Sequence, residues 1–264
     1  MKKIAGKIYV LIVMLFLYLP ILTLIVLSFN EVKSMSVWGG FSLKWYEELF
    51  HSRLMMGAIV NTFSIAILAA LIATVVGTMA VLGMAAMKPR TQNTLLGINN
   101  IPMLNADIVT GIALMLFFLM VGVPRGYMTI LFSHATFCIP YVILSVRPRV
   151  NRNTDRLYEA ALDLGASERY AFRRIVLPEL WPGITSGFLL SFTMSVDDFI
   201  ITYFTRGAGI NTISTLIYSE VKIGIRPSLF ALSTIVFVVA LAVLLIINVR
   251  KDKEDRANSA LQAL

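Results

Sequence analysis

The chain has 264 residues, 58% of them hydrophobic and only 14% charged, with a formal net charge of +8 and a single cysteine. A soluble globular domain carries about a quarter charged residues, so that class is excluded, and several apolar runs exceed the roughly 18 residues that mark membrane-spanning helices. The basic excess does not point to nucleic acid, because its placement along the chain follows a membrane topology.

The pattern predicts an all-α membrane protein with six spans, near residues 8–29, 58–86, 96–121, 128–146, 183–204 and 229–249. Lys2, Lys3 and Lys7 precede the first. That run is too long for the apolar region of a signal peptide and no A-x-A site follows, so it reads as a retained helix. Pro20 interrupts it and Ser28-Phe29-Asn30 ends it. Trp38, Trp45 and Tyr46 in the following segment suit the headgroup layer. The second run, Ala58 to Met87, carries Gly77 and Gly83, which permit close helix packing.

Asn99, Asn100, Pro102, Asn105 and Asp107 crowd the first half of the third span. Backbone opened by a proline among polar side chains is tolerated at membrane depth only beside protein or a watery cavity, so this half should face the inside of an assembly. The fourth span carries His134, Cys138 and Pro140. The other histidine, His51, sits in an outer loop, so no metal-ligand cluster can be assembled. His134 reads as a hydrogen-bonded core residue, and Cys138 as a small core residue.

Between the fourth and fifth spans, Leu157, Ala160, Ala161 and Leu164 recur at helical spacing and form a narrow stripe of small apolar residues. Gly165 should end that helix, and Ser167 should cap a second, short one carrying Arg169, Arg173 and Arg174. Such a water-exposed helix–turn–helix, running from Glu159 to Ile175, Leu177 and Pro178, has the form of a docking surface. The fifth span contains Gly183-x3-Gly187, a small-residue packing face, and the sixth ends at Arg250.

Sixteen of the 23 Lys and Arg residues fall on one side of these spans, seven of them arginines between 147 and 174. The positive-inside rule then puts both termini and the 147–180 loop in the cytoplasm, with 30–57 and 205–228 outside.

Asp197 and Asp198 lie within the fifth span. Each buried Asp costs about 2.5–3.5 kcal/mol on the insertion scale, and ten strongly apolar residues return only about 3–6 kcal/mol in all. These acids must therefore face protein, water or a cation. Helix rise puts Asp197 about 21 Å and Asp107 about 16 Å above the cytoplasmic ends of their spans. Phe199 and Tyr203 follow Asp197, and aromatic faces beside carboxylates suit an organic ammonium ion.

The Glu159-Ala160-Ala161-x3-Gly165-x9-Ile175-x-Leu177-Pro178 spacing resembles the cytoplasmic loop by which permeases of binding-protein-dependent ABC importers engage their ATPase. With Leu19-Pro20, Lys44-Trp45-Tyr46, Asp107-Ile108-Val109, Phe132-Ser133-His134 and Asp197-Asp198, the whole chain resembles spermidine/putrescine ABC importer permeases. The resemblance implies a type I (MetI-like) permease domain over 1–264, with a five-helix core at about 58–250 behind the N-terminal helix. It also implies a bacterial inner-membrane location, a sister permease, an ATPase dimer below and an extracytoplasmic binding protein above. Asp197, Asp198, Asp107, Phe199 and Tyr203 would line a polyamine pathway. Glu159, Ala160, Ala161, Gly165, Ile175, Leu177 and Pro178 would form the ATPase-coupling surface. No cofactor is expected on this chain. It has no G-x4-G-K-[ST] loop, so ATP and Mg would sit on the partner ATPase and the chain is not an enzyme.

Rival readings differ in what they require. A permease for another small cationic or neutral solute would keep the docking loop. A proton-coupled secondary transporter would have no use for it. An intramembrane aspartyl protease would pair Asp107 with Asp197 or Asp198, but no Gly-x-Gly-Asp run surrounds either acid. A channel would need a filter-like loop.

Overall fold

The computed structural model describes residues 2–150 and 152–241. Among these the regular structure is helical, apart from one isolated bridge between Asn30 and Phe41. The helices are α1 (Lys2–Ser28), α2 (Lys44–His51), α3 (Arg53–Ala85), α4 (Pro89–Leu104), α5 (Asp107–Val121) and α6 (Tyr127–Val146), followed by α7 (Arg152–Asp163), α8 (Glu168–Ala171), α9 (Leu177–Asp197), α10 (Ile200–Thr205), α11 (Ile213–Ile223) and α12 (Ser228–Leu241). Residues 242–249 of the sixth expected span and the basic tail from Arg250 lie outside the described residues. The described residues pack as two compact units, one over Gly57–Leu216 and the other over those up to Met56 together with those from Ile217 on.

The larger unit is built around α6. Ile130, Cys138, Val142 and Val146 of that helix are fully buried. The small-residue face expected on α9 meets it: a Cβ at Gly183 would stand 3.0 Å from the Ser145 carbonyl, and one at Gly187 would stand 3.2 Å from Val142 Cα. Gly77 of α3 reaches the other side of Val142, where a Cβ would come within 2.8 Å. Backbones approach this closely only where side chains are absent. Gly83 has open space around it among the described residues.

Four described helices, or five spans with the bent α4–α5 pair, are long and apolar enough to cross a membrane. The third expected span is that pair. Its two halves meet at 103°, and the turn falls at Asn105 and Ala106, both in extended backbone. Pro102 lies inside α4 without breaking it. The opening thus comes three residues after the proline, where Asn105 closes α4 and the Ala106 carbonyl accepts the amides of Val109 and Thr110 to start α5.

The fifth expected span is also interrupted. Helix α9 stops at Asp197, Asp198 is extended at φ −64°, ψ 130°, and α10 restarts at Ile200. At its other end α9 runs back without a break through π-helical Phe172–Val176 into α8. Pro178 accounts for that widened turn. It has no amide for the Arg174 carbonyl and its ring crowds that oxygen, and a π turn relieves the clash. The short second helix of the docking loop is therefore continuous with a membrane helix.

In the smaller unit, Asn30 organises the chain after α1. Its amide nitrogen donates to the Ser34 and Val37 carbonyls at 3.0 and 2.8 Å, and its Oδ1 accepts from the Gly39 amide at 2.9 Å. Trp45 is 1% exposed and donates its indole N–H to the Asn30 carbonyl at 2.5 Å. Tyr46 pairs with Ser28 at 2.8 Å. Trp45 is thus an internal strut rather than a headgroup anchor, Tyr46 is half-buried, and Trp38 is exposed.

Candidate functional site

Two neighbouring acids end α9 and have opposite surroundings. Asp198 has a side chain only 7% exposed and a filled set of donors. Its Oδ1 accepts the Ile201 amide at 3.2 Å, and its Oδ2 accepts the Thr202 amide at 2.8 Å and the Thr202 hydroxyl at 2.9 Å. It therefore satisfies the first-turn amides of α10 that no helix can pair internally. Imidazole Nε2 of His134, from α6, stands 3.3 Å from the same oxygen and 2.8 Å from Thr202 Oγ1. His134 Nδ1 lies 2.7 Å from Ser195 Oγ on α9.

Asp197 is exposed, and among the described residues its carboxylate has no hydrogen-bond or ion-pair partner. It shares one exposed face of α9 with Ser186, Leu190 and Thr193. Gly183, Gly187 and Ser191 are buried on the opposite face. Asp107, also exposed, opens α5, where its charge complements the positive helix end. One turn further on, a Cβ at Gly111 would meet Phe204 at 3.0 Å and the Ile200 carbonyl at 3.4 Å. The start of α5 and the α9–α10 break are thus brought together by a small-residue contact.

The Phe199 and Tyr203 rings lie 5.5 Å apart, centroid to centroid. The Arg206 guanidinium sits 5.5 Å above the Tyr203 ring and also donates to Asn211 Oδ1. One face of Tyr203 therefore already holds a cation from within the chain.

The docking-loop residues form a surface of a different kind. Leu157, Glu159 and Ala160 are exposed on α7, as is Leu164 in the turn that follows it, to 89%, while Ala161 is half-buried. Gly165 has φ +87°, and the Ala166 amide reaches back to the Ala161 carbonyl at 3.0 Å in a helix-ending turn. Among the described residues nothing stands within 4 Å of a Cβ placed there, so backbone conformation rather than space calls for glycine. Ser167 occupies the cap position of α8, but its side chain makes no capping bond. Ile175 and Leu177 are half-buried, and Pro178 is exposed.

Sequence reasoning missed the grouping of His134, Ser195 and Thr202 around Asp198. One signal was available: Asp198 and Thr202 stand four apart, the spacing of a helix-start acceptor and its donor. The helix break itself carries no Gly or Pro to announce it.

A family model described as "Binding-protein-dependent transport system inner membrane component" matches residues 80–251. The chain belongs to that family. It is a multi-pass membrane component of a transport system rather than an enzyme. It is 37% identical to the spermidine/putrescine transport system permease protein PotC of Haemophilus influenzae, over 90% of this chain and 93% of the relative. The putrescine transport system permease protein PotI of Escherichia coli K12 is 38% identical, over 84% of this chain and 81% of its own. A solved chain of a bacterial ABC transporter that imports the acidic polysaccharide alginate superposes with a TM-score of 0.66 at 20% identity, covering 93% of both chains. The fold is that of type I ABC importer permeases.

Proposed function

We propose that this chain forms half of the translocation pathway of an ATP-driven polyamine importer, with Asp197 as its principal cation-facing residue. The supporting observation is the contrast at the α9–α10 break, where one carboxylate is saturated by donors and the next has none among the described residues. An unpaired carboxylate within a membrane helix is tolerable only beside water or a cation. A polyamine carries two to four charges, each of which must exchange water for a comparable partner in a low-dielectric passage. Asp197 and Asp107 supply charge and Phe199 supplies an aromatic face. Tyr203 contributes less, because Arg206 already covers one of its faces. Asp198 leaves the pathway set and becomes structural. The permease relatives, named for spermidine and putrescine, support this cargo.

The exposed stripe of α7 fits an ATPase cleft, and α8, just across the Gly165 turn, runs without a break into α9 and so links that surface to Asp197. A sister permease completes the pathway, with ATP and Mg on an ATPase dimer and an extracytoplasmic binding protein delivering cargo. Both termini and the α7–α8 turn are cytoplasmic in this reading.

The test is uptake of labelled putrescine and spermidine at limiting concentration by the complete importer carrying Asp197→Asn. Uptake should fall at least tenfold with partner association intact. Wild-type uptake would overturn the cation-pathway role.

A further inference from the structure

We infer that His134 is a positioning residue for transport. It locks the interruption between α9 and α10 and thereby fixes where Asp197 points, without itself touching cargo. His134 is 2% exposed and buried in α6, yet its ring binds both sides of the break. Its Nδ1 reaches Ser195, two residues before Asp197, and its Nε2 reaches Thr202 and Asp198, on the far side.

One arrangement of a neutral ring pairs every group in the cluster. The Thr202 hydroxyl hydrogen is given to Asp198 Oδ2, so Thr202 Oγ1 can only accept from the imidazole. Nε2 must then carry the hydrogen, shared between Thr202 Oγ1 and Asp198 Oδ2. Nδ1 is left as an acceptor for the Ser195 hydroxyl. In this arrangement every donor in the cluster has an acceptor. Satisfied buried networks of this kind hold one conformation, because any other leaves polar groups unpaired at low dielectric.

Asp197 lies between the anchored residues Ser195 and Asp198. The last turn of α9 cannot rotate without breaking the Ser195 contact, and α10 cannot without breaking those of Thr202 and Asp198. The inference rests on the pathway reading of Asp197, but it can fail separately from it.

The experiment uses the complete importer in membranes and cysteines placed singly at 197 or at Ser186, which shares the exposed face of α9 below the anchor. The native Cys138 is buried and should stay silent. Rates of modification by a water-soluble thiol reagent are compared between His134 and His134→Phe backgrounds, and uptake is measured with Asp197 intact. His134→Phe should change the rate at 197 at least fivefold while leaving that at 186 within twofold, and should lower uptake at least tenfold. His134→Gln, which restores an N–H toward Asp198 and Thr202, should recover at least a third of uptake. If His134→Phe does not assemble, Ser195→Ala carries the test and should shift labelling at 197 in the same selective way. Unchanged labelling at 197 in the assembled variant overturns the positioning role, whatever uptake does. Equal changes at 197 and 186 overturn it as well, since they report general loosening. The pathway reading is tested independently by Asp197→Asn.

Discussion

The chain interrupts its helices at two places of interest, and the two are held by opposite means. At the α9–α10 break, side chains do the work: Asp198, His134, Ser195 and Thr202 close a buried network with every donor paired. At the α7–α8 turn, backbone does it. Gly165 takes a left-handed conformation, nothing among the described residues packs around it, and Leu157 and Leu164 stay exposed. The first is complete within the chain and should tolerate little change. The second is shaped but uncovered, as a surface is when its counterpart belongs to another subunit.

The largest expected effect follows from breaking the buried network. Removing one partner of a buried, hydrogen-bonded charge typically costs about 3–5 kcal/mol. Asp198→Ala should therefore lower the melting temperature of the solubilised permease and its yield in the membrane, read by fluorescence-detected size exclusion after heating. A wild-type melting profile would show that the α9–α10 break needs no clamp.

A smaller effect on stability, but a large one on coupling, is expected at Gly165. Gly165→Val forces a β-branched residue into left-handed backbone at about 1–2 kcal/mol or more, spent in an exposed turn. The variant should insert normally yet lose ATPase association in pull-down and lose uptake. If both persist, the turn is not the docking element.

Leu164→Asp should leave stability within about 0.5 kcal/mol, since that side chain touches little in the chain. It should still weaken ATPase association, because it places a charge in the apolar stripe. Unchanged association would remove that stripe from the interface. The least perturbing probe concerns orientation. Cysteines at Ser36 and Ser167 are both at exposed positions, and in intact cells an impermeant thiol reagent should label the first and spare the second. The reverse pattern would invert the topology.

Much of this architecture was legible because membrane helices announce themselves by length and polarity alone. The α9 face at Gly183 and Gly187, the end of α7 at Gly165 and the polar crowding near Asn105 were all readable from residue type and spacing. What escaped depended on partners distant in sequence. Nothing near Trp45 says that Asn30 will accept its indole proton. Nothing near Asp198 says that a histidine 64 residues earlier will meet it. The break at Asp198 lacks Gly or Pro because the acid's own acceptor atoms start the next helix, and such a device looks like any other residue until the fold assembles. The π turn before Pro178 was hidden for a related reason. A proline reads as a stop, but a widened turn let the helix continue through it.

The central claim is that two adjacent carboxylates do different jobs, and a paired comparison tests it most directly. Complete importers carrying Asp197→Asn or Asp198→Asn would be purified, and thermal stability and polyamine uptake measured on the same preparations. Asp197→Asn should keep the wild-type melting temperature and lose at least tenfold in uptake, whereas Asp198→Asn should melt lower, by several degrees, before any question of transport arises. A stable Asp198→Asn complex with impaired uptake, beside an Asp197→Asn complex that transports normally, would reverse the assignment and contradict the account.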